Sequence, residues 1–437
     1  MKQIDHFISG YKALVDFEKQ GVSGLSIRIE RNDTLSYTYH TFLTENRDTD
    51  YFFLKKVVLT LLWLIGGNKV YLKGKTDSIQ EFLKKAKEDK ELKITMKEME
   101  NIFSEKFVLE ETKEEKEDRN PLSRIHLSEK GNRIGLDLGG SDRKVTALKN
   151  GSIVFEDETL WSPKQEKDIR YLYNGIKDSL TKAMKYLEHV DSIGISTAGI
   201  VKENKLLEPT LFRSVENGKE HVLDFFPEFM EKEFPKIPYQ VINDGDISAL
   251  TGPVLTGKEN FLGIAMGTSL GGGYIGNGNT FRGWICELGK IPVDFSSSPY
   301  EHYAMKIKGA GSEYLSQKGI IRLCEEKGIS FPGTKAVQLV SIQKEAEERN
   351  PIVLDCYKEF GKRLSSAIRL YHRFLDFENV ILLGRVMTGY GGEVLKKEAE
   401  EELRDTKIKI HVPDEEKRRL GQSYVAGLMV PNEKADA

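Results

Sequence analysis

Gly135-Leu136-Asp137-Leu138-Gly139-Gly140-Ser141, with Lys144 just beyond, is the stretch whose reading decides the fold. The apolar run over 133–138 predicts a strand. It ends on a carboxylate and opens into glycines and a hydroxyl. Glycine lets a ligand approach the backbone closely, and successive N–H groups in such a turn can face phosphate oxygens. Asp137 is a hard oxygen ligand of the kind a hydrated Mg²⁺ takes. Standing alone, the stretch is read equally well as a tight hairpin turn with a solvated aspartate.

Outward from it, 144–148 and 152–156 read as strands joined by Asn150-Gly151, a strong hairpin pair. Apolar spacing near 3.6 predicts a helix over 168–189, and strands follow at 192–196, 240–242 and 261–266. A helix over 353–374 and a strand over 380–383 complete the alternation, which argues an α/β fold built around sheets. No repeat of 20–50 residues is visible.

Two further stretches carry chemistry. Residues 263–276 run from an apolar strand through Gly267-Thr268-Ser269 and Gly271-Gly272-Gly273 into another strand. No Gly-Lys-Ser/Thr tail follows, so this is not a Walker loop, and a strand rather than a helix follows, so it is not a Rossmann fingerprint. Val241-Ile242-Asn243-Asp244-Gly245-Asp246 ends a strand with a carboxylate where a general base would sit. The same residues suit a helix N-cap on local grounds.

Before this region, alternation in Leu25-Ser-Ile-Arg-Ile and Leu35-Ser-Tyr-Thr-Tyr around Arg31-Asn32-Asp33 predicts a hairpin. Helices over 51–65, 78–87 and 96–103 and a strand over 69–72 follow. The apolar run 57–66 is too short to span a bilayer, which needs about 20 residues, and reads as a buried helix. Between 110 and 120, six acidic and three basic residues read as a solvated linker.

The chain has 437 residues, which at roughly 100–200 per domain predicts about two to four domains. With 39% hydrophobic and 30% charged residues it can build cores, and a net charge of −3 supplies no large basic field for nucleic acid or an anionic membrane. Residues 1–5 lack a signal-peptide core, and Cys286, Cys324 and Cys356 are too scattered for a disulfide framework, so a cytoplasmic location is expected.

Taken in order over 133–427, these motifs resemble the ROK family of repressors, open reading frames and sugar kinases, within the actin–hexokinase–chaperone ATPase superfamily. Asp137 to Lys144 resembles the family's first phosphate motif, and Gly267-Thr268 with 271–273 the second. Gly194-Ile195-Ser196-Thr197-Ala198-Gly199 resembles the glycine/proline motif of the first lobe. Asn243-Asp244 resembles the pair in which Asp is the catalytic base and Asn touches sugar hydroxyls. Glu287-Leu288-Gly289 resembles Glu-x-Gly-His, whose Glu binds the sugar, and Leu382-Leu383-Gly384 the strand and glycine near the adenosine.

The resemblance implies a two-lobed actin-like ATPase of ribonuclease-H-like lobes with an extra N-terminal α/β domain. It divides the chain into an accessory domain over 1–109, a linker over 110–130, a first lobe over 131–245 and a second over 246–420. A C-terminal helix over 421–434 would pack back on the first lobe. It implies an ATP-dependent sugar kinase with ATP–Mg²⁺ between the lobes. Asp244 would be its base, and Asn243, Glu287 and Lys290 would serve the sugar. Asp137 would serve the metal, with Gly139, Gly140, Ser141, Lys144, Gly267, Thr268, Gly271 and Gly384 on the nucleotide. The partner implied is a small sugar, with a homodimer possible and neither nucleic acid nor membrane expected.

Two departures stand out. Position 290 is Lys where zinc-containing members have a histidine ligand, and no cysteine lies between Cys286 and Cys324, so no structural zinc is expected. Lys290 can reach a substrate carboxylate or phosphate instead. The stretch before the base motif that contacts sugar is replaced by Glu208-Pro-Thr-Leu-Phe-Arg213, where Arg213 can face an anionic group. The alternatives are a sugar-sensing regulator without turnover, or a repressor. Residues 1–109 hold 18 Lys+Arg against 16 Asp+Glu and show no basic recognition helix, which disfavours DNA binding. Their order of elements echoes 364–384, as a partial copy of an ATPase lobe would.

Overall fold

The computed structural model describes residues 7–32, 35–215 and 220–431. The N-terminal residues 1–5, the turn residue Asp33 and the last part of the expected 421–434 helix lie outside them. Two compact units emerge. One comprises residues 1–121, 264–272 and 284–412, and the other residues 122–263, 273–283 and 413–437.

The second unit is built on a five-stranded sheet. Its strands run Tyr239–Asn243, Ser192–Thr197, Asn132–Leu138, Asp142–Lys149 and Ser152–Leu160 from edge to edge. The first three are parallel and the rest antiparallel. Asn150 and Gly151 take positive φ, as the tight turn between the last two strands demands. Asp168 caps helix Ile169–Met184, whose Leu172, Ile176 and Leu180 face the core beside Ile134, Leu136 and Ile193. Helix Glu415–Gly427 crosses strands Asn132–Leu138 and Ser192–Thr197 so closely that a Cβ on Gly135 would stand 1.8 Å from the Ser423 carbonyl oxygen. The same holds for Gly194 against Ala426. That helix ends at Gly427, and strand Met429–Val430 follows it.

The first unit holds the N-terminal sheet, ordered Leu35–Leu43, Ser23–Arg31, Lys69–Lys73, Val108–Glu111. Its helix Arg47–Leu64 is the buried one foreseen, with residues 57–65 essentially without solvent contact. Strand Ser23–Arg31 runs antiparallel to Lys69–Lys73. The central strand of the second unit, Asn132–Leu138, instead pairs parallel with the strand across from its hairpin. The N-terminal sheet thus differs in strand pairing from the five-stranded sheet of the second unit. The charged stretch after Glu111 is mostly exposed but anchored: Arg28 donates to the Lys116 and Glu117 carbonyls and pairs with Asp118.

This unit also contains the sheet ordered Leu270–Ile275, Phe261–Met266, Asn379–Leu383, Lys409–His411, with the chain crossing between units inside the first two strands. Helices Gln317–Glu326, Lys335–Glu347, Pro351–His372 and Gly389–Glu402 accompany it. Among the described residues, no helix is long and apolar enough to cross a membrane.

Candidate active site

In the second unit, strand register brings the predicted residues to one edge. Asp137 lies level with Ser196, and Thr197 lies level with Asn243. These are the carboxyl ends of the parallel strands, where open α/β sheets place ligands. Asp137 is 8% exposed, and burial pushes its carboxyl up to about 6, partly offset by the Ser196 hydroxyl and the Lys144 ammonium. Both hydroxyls at this strand end are buried; that of Ser196 lies against the Asp137 carboxyl, and Thr197 Oγ1 has no hydrogen-bond partner among the described residues. An orphaned hydroxyl at a strand end, such as that of Thr197, is a functional candidate.

Asn243 proves to be the N-cap of helix Asp244–Thr256: its Oδ1 accepts from the Gly245 N–H at 2.6 Å, and its Nδ2 donates to the Gly199 carbonyl. The local capping reading is thus realised, and it fixes where Asp244 starts the helix. Gln422 donates to the Asp244 carbonyl at 3.1 Å and to Ser248 Oγ at 2.8 Å, tying that first turn to the C-terminal helix. Asp246, two residues further, is partly exposed, and the burial of its carboxyl together with the Asp244 charge pushes it up to about 8.

The turn after Asp137 is closed by the Gly139 N–H on the Asp142 carbonyl at 2.9 Å, and Trp161 Nε1 donates to the Gly139 carbonyl at 2.8 Å. The Ser141 hydroxyl donates to Asp142 Oδ2 at 2.8 Å. Gly140 is exposed, and Lys144 pairs with Glu158 at 3.5 Å.

In the first unit, the Gly267 N–H donates to the Ser269 carbonyl, and the Gly267 carbonyl accepts from Gln317 N–H at the start of helix Gln317–Glu326. Thr268 and Ser269 are exposed. A Cβ on Gly267 would meet nothing nearer than 3.9 Å, and one on Gly271 nothing nearer than 4.0 Å. Neither has positive φ. Backbone conformation and packing therefore do not explain these two glycines, whereas close approach of a ligand would. Gly384 is the opposite case: φ is +97°, and a Cβ would stand 2.4 Å from the Met266 carbonyl oxygen. Its glycine is demanded by the sheet.

Glu287 and Lys290 bracket a short 3₁₀ turn, Leu288–Lys290. Their charges pair at 3.3 Å, and both side chains are mostly buried. Lys290 Nζ lies 4.2 Å from the centre of the Trp63 ring.

The description "ROK family" belongs to the family model that matches residues 133–426, well over half of the chain. The chain belongs to the ROK family. A glucokinase of Halalkalibacterium halodurans is 28% identical over 171 residues, covering 37% of this chain and 49% of the relative. The chain thus spans about half the length of that curated relative. Among solved structures, a ROK family glucokinase from Streptomyces griseus in complex with glucose and AMPPNP superposes with a TM-score of 0.53 at 19% identity, over 68% of this chain and 98% of that one. A ROK hexokinase from Thermus thermophilus gives 0.54 at 14% identity, over 70% and 100%. A ROK family transcriptional regulator, a homologue of the E. coli MLC protein, also gives 0.54, at 19% identity over 68% and 77%. At these identities the likeness establishes the fold, α/β of the ROK actin-like ATPase type.

Within this ROK chain the sequence did not single out Ser196 or Thr197 as site residues, although both lie inside a quoted motif. Parallel register, which no local pattern encodes, brings them level with Asp137 and Asn243. Arg213, an expected anion contact, is exposed and donates to the Thr210 carbonyl. Among the described residues no three His, Cys, Asp or Glu side chains are grouped to hold a metal.

Proposed function

We propose that this ROK protein is an ATP-dependent sugar kinase that transfers a phosphoryl group from ATP–Mg²⁺ to a hydroxyl of a hexose or hexose derivative. The observation that supports the reading is the placement of Asp137 and Asn243 at the carboxyl ends of the two parallel strands that flank Ser192–Thr197, with Asn243 capping the helix that Asp244 begins. Asp244 takes the proton from the attacking sugar hydroxyl. The turns at 139–141 and 267–271 offer backbone N–H groups to phosphate oxygens, and the catalytic effect is mainly positioning and charge stabilisation. Glu287 binds sugar hydroxyls.

Asp137 fits Mg²⁺, an ion that keeps several waters and needs only one or two carboxylates. Its carboxylate is buried beside the Ser196 hydroxyl. When bound, Mg²⁺ neutralises charge on the transferring phosphoryl group. No structural zinc is assigned, since a protonated lysine at 290 cannot ligate.

The test is ADP release from ATP–Mg²⁺ across hexoses, N-acetylhexosamines and anionic sugars. Release that depends on one sugar class supports the kinase and names its substrate. Likeness to the transcriptional regulator favours a second reading, a sugar-responsive regulator. A gel shift at low salt that is reversed by sugar, in a chain that releases no ADP, would establish that reading instead.

A further inference from the structure

Helix Arg47–Leu64 ends against the segment that carries Glu287. A helix leaves its last carbonyls without partners inside itself. Here three of them are taken by consecutive residues of that segment. Ile285 N–H donates to the Ile65 carbonyl at 3.4 Å, Cys286 N–H to Leu64 at 3.0 Å and Glu287 N–H to Trp63 at 2.8 Å. Arg31 adds a second donor on Ile65 at 2.6 Å. The Trp63 side chain, fully buried and held by its Nε1–H on Thr95 Oγ1 at 3.3 Å, presents its ring to Lys290. A cation there is favoured by the aromatic face and by the negative end of the helix dipole. Lys290 in turn holds Glu287.

We infer that the C-terminal end of helix Arg47–Leu64 is a platform that positions the Glu287 carboxylate for sugar, and that Trp63 and Lys290 act through Glu287 as positioning residues. The inference rests on the reading of Glu287 as the sugar-binding group. It gives the N-terminal region a task in substrate recognition, since its backbone carbonyls and one indole ring fix the main chain and the carboxylate of that segment. Lys290, engaged on two sides, sets the direction of a carboxylate and does not meet an anionic substrate.

The experiment compares Trp63→Leu, Trp63→Phe and Lys290→Met in the full chain. Thermal melts confirm folding, and sugar and ATP dependence of ADP release are measured with glucose as the first probe. The platform predicts a rise in sugar KM of roughly tenfold or more for Trp63→Leu and Lys290→Met, with ATP KM little changed. Trp63→Phe, which keeps an aromatic face, restores most of the affinity. The double variant Trp63→Leu/Lys290→Met is no worse than either single one, because both act on one carboxylate. Amide exchange at 285–290 accelerates in Trp63→Leu and not in Trp63→Phe. Folded Trp63→Leu protein with an unchanged sugar KM, or fully additive losses, would overturn the inference. If the wild-type chain binds glucose calorimetrically but releases no ADP, the kinase reading fails alone, and sugar affinity in the same variants still decides the platform. If it binds no sugar in the panel, the inference falls with the assignment of Glu287.

Discussion

Asp244 and Asp246 open one helix two residues apart, and their surroundings divide their roles. The Asp246 carboxyl is pushed up to about 8 by burial and by its neighbour. Its folded pKa lies above the ordinary value near 4, so between about pH 4 and pH 8 the unfolded chain binds fewer protons than the folded one. Stability therefore falls as pH rises through that window and levels off beyond it. Asp246→Asn is expected to melt higher than wild type at pH 8, with the gap closing toward pH 4. Melting curves over pH 4–9 check this, and a constant difference across the range would refute it. Sequence could not supply this difference between the two aspartates, because burial is a tertiary property.

At the scale of elements, periodicity and turn chemistry carried most of the fold. The Asn150-Gly151 hairpin, the Asp168-capped helix and the buried helix under residues 57–65 all follow from local pattern. Pairing direction did not: strand Ser23–Arg31 pairs antiparallel with Lys69–Lys73, whereas Asn132–Leu138 pairs parallel with Ser192–Thr197, and each partner lies far away in sequence. Nor did pattern show which glycines serve packing. Gly273 and Gly271 are two residues apart in strand Leu270–Ile275 and look equivalent. A Cβ on Gly273 would stand 2.3 Å from the Gly245 carbonyl oxygen, while one on Gly271 has room. Gly273→Ala is expected to cost about 1–3 kcal/mol in denaturant melts. Gly267→Ala and Gly271→Ala should leave stability within about 0.5 kcal/mol and weaken ATP binding. Equal stability losses at all three positions would remove the distinction.

At the scale of the molecule, the N-terminal region shares a compact unit with residues 284–412. Gly10 N–H donates to Val293 carbonyl at 2.9 Å, Phe295 N–H to Ile8 carbonyl at 2.9 Å, and Lys56 Nζ to Lys308 carbonyl at 2.6 Å. Phe52 and Phe53 both lie against Phe295. Removing residues 1–109 would expose these partners, so a chain beginning at 131 is expected to be aggregated or inactive. A soluble, fully active fragment would make the region an appendage. The sequence marked 1–109 as separate because composition changes at 110–120; contacts that return from distant residues leave no such trace.

The most direct measurement of the central claim is phosphosugar formation by wild type and Asp244→Asn at matched nucleotide occupancy, with the responsive sugar and ATP–Mg²⁺. The account predicts that Asp244→Asn binds nucleotide as wild type does and forms phosphosugar roughly 10²–10⁴-fold more slowly. Turnover retained in that variant would move the base elsewhere and contradict the assignment on which the proposed mechanism stands.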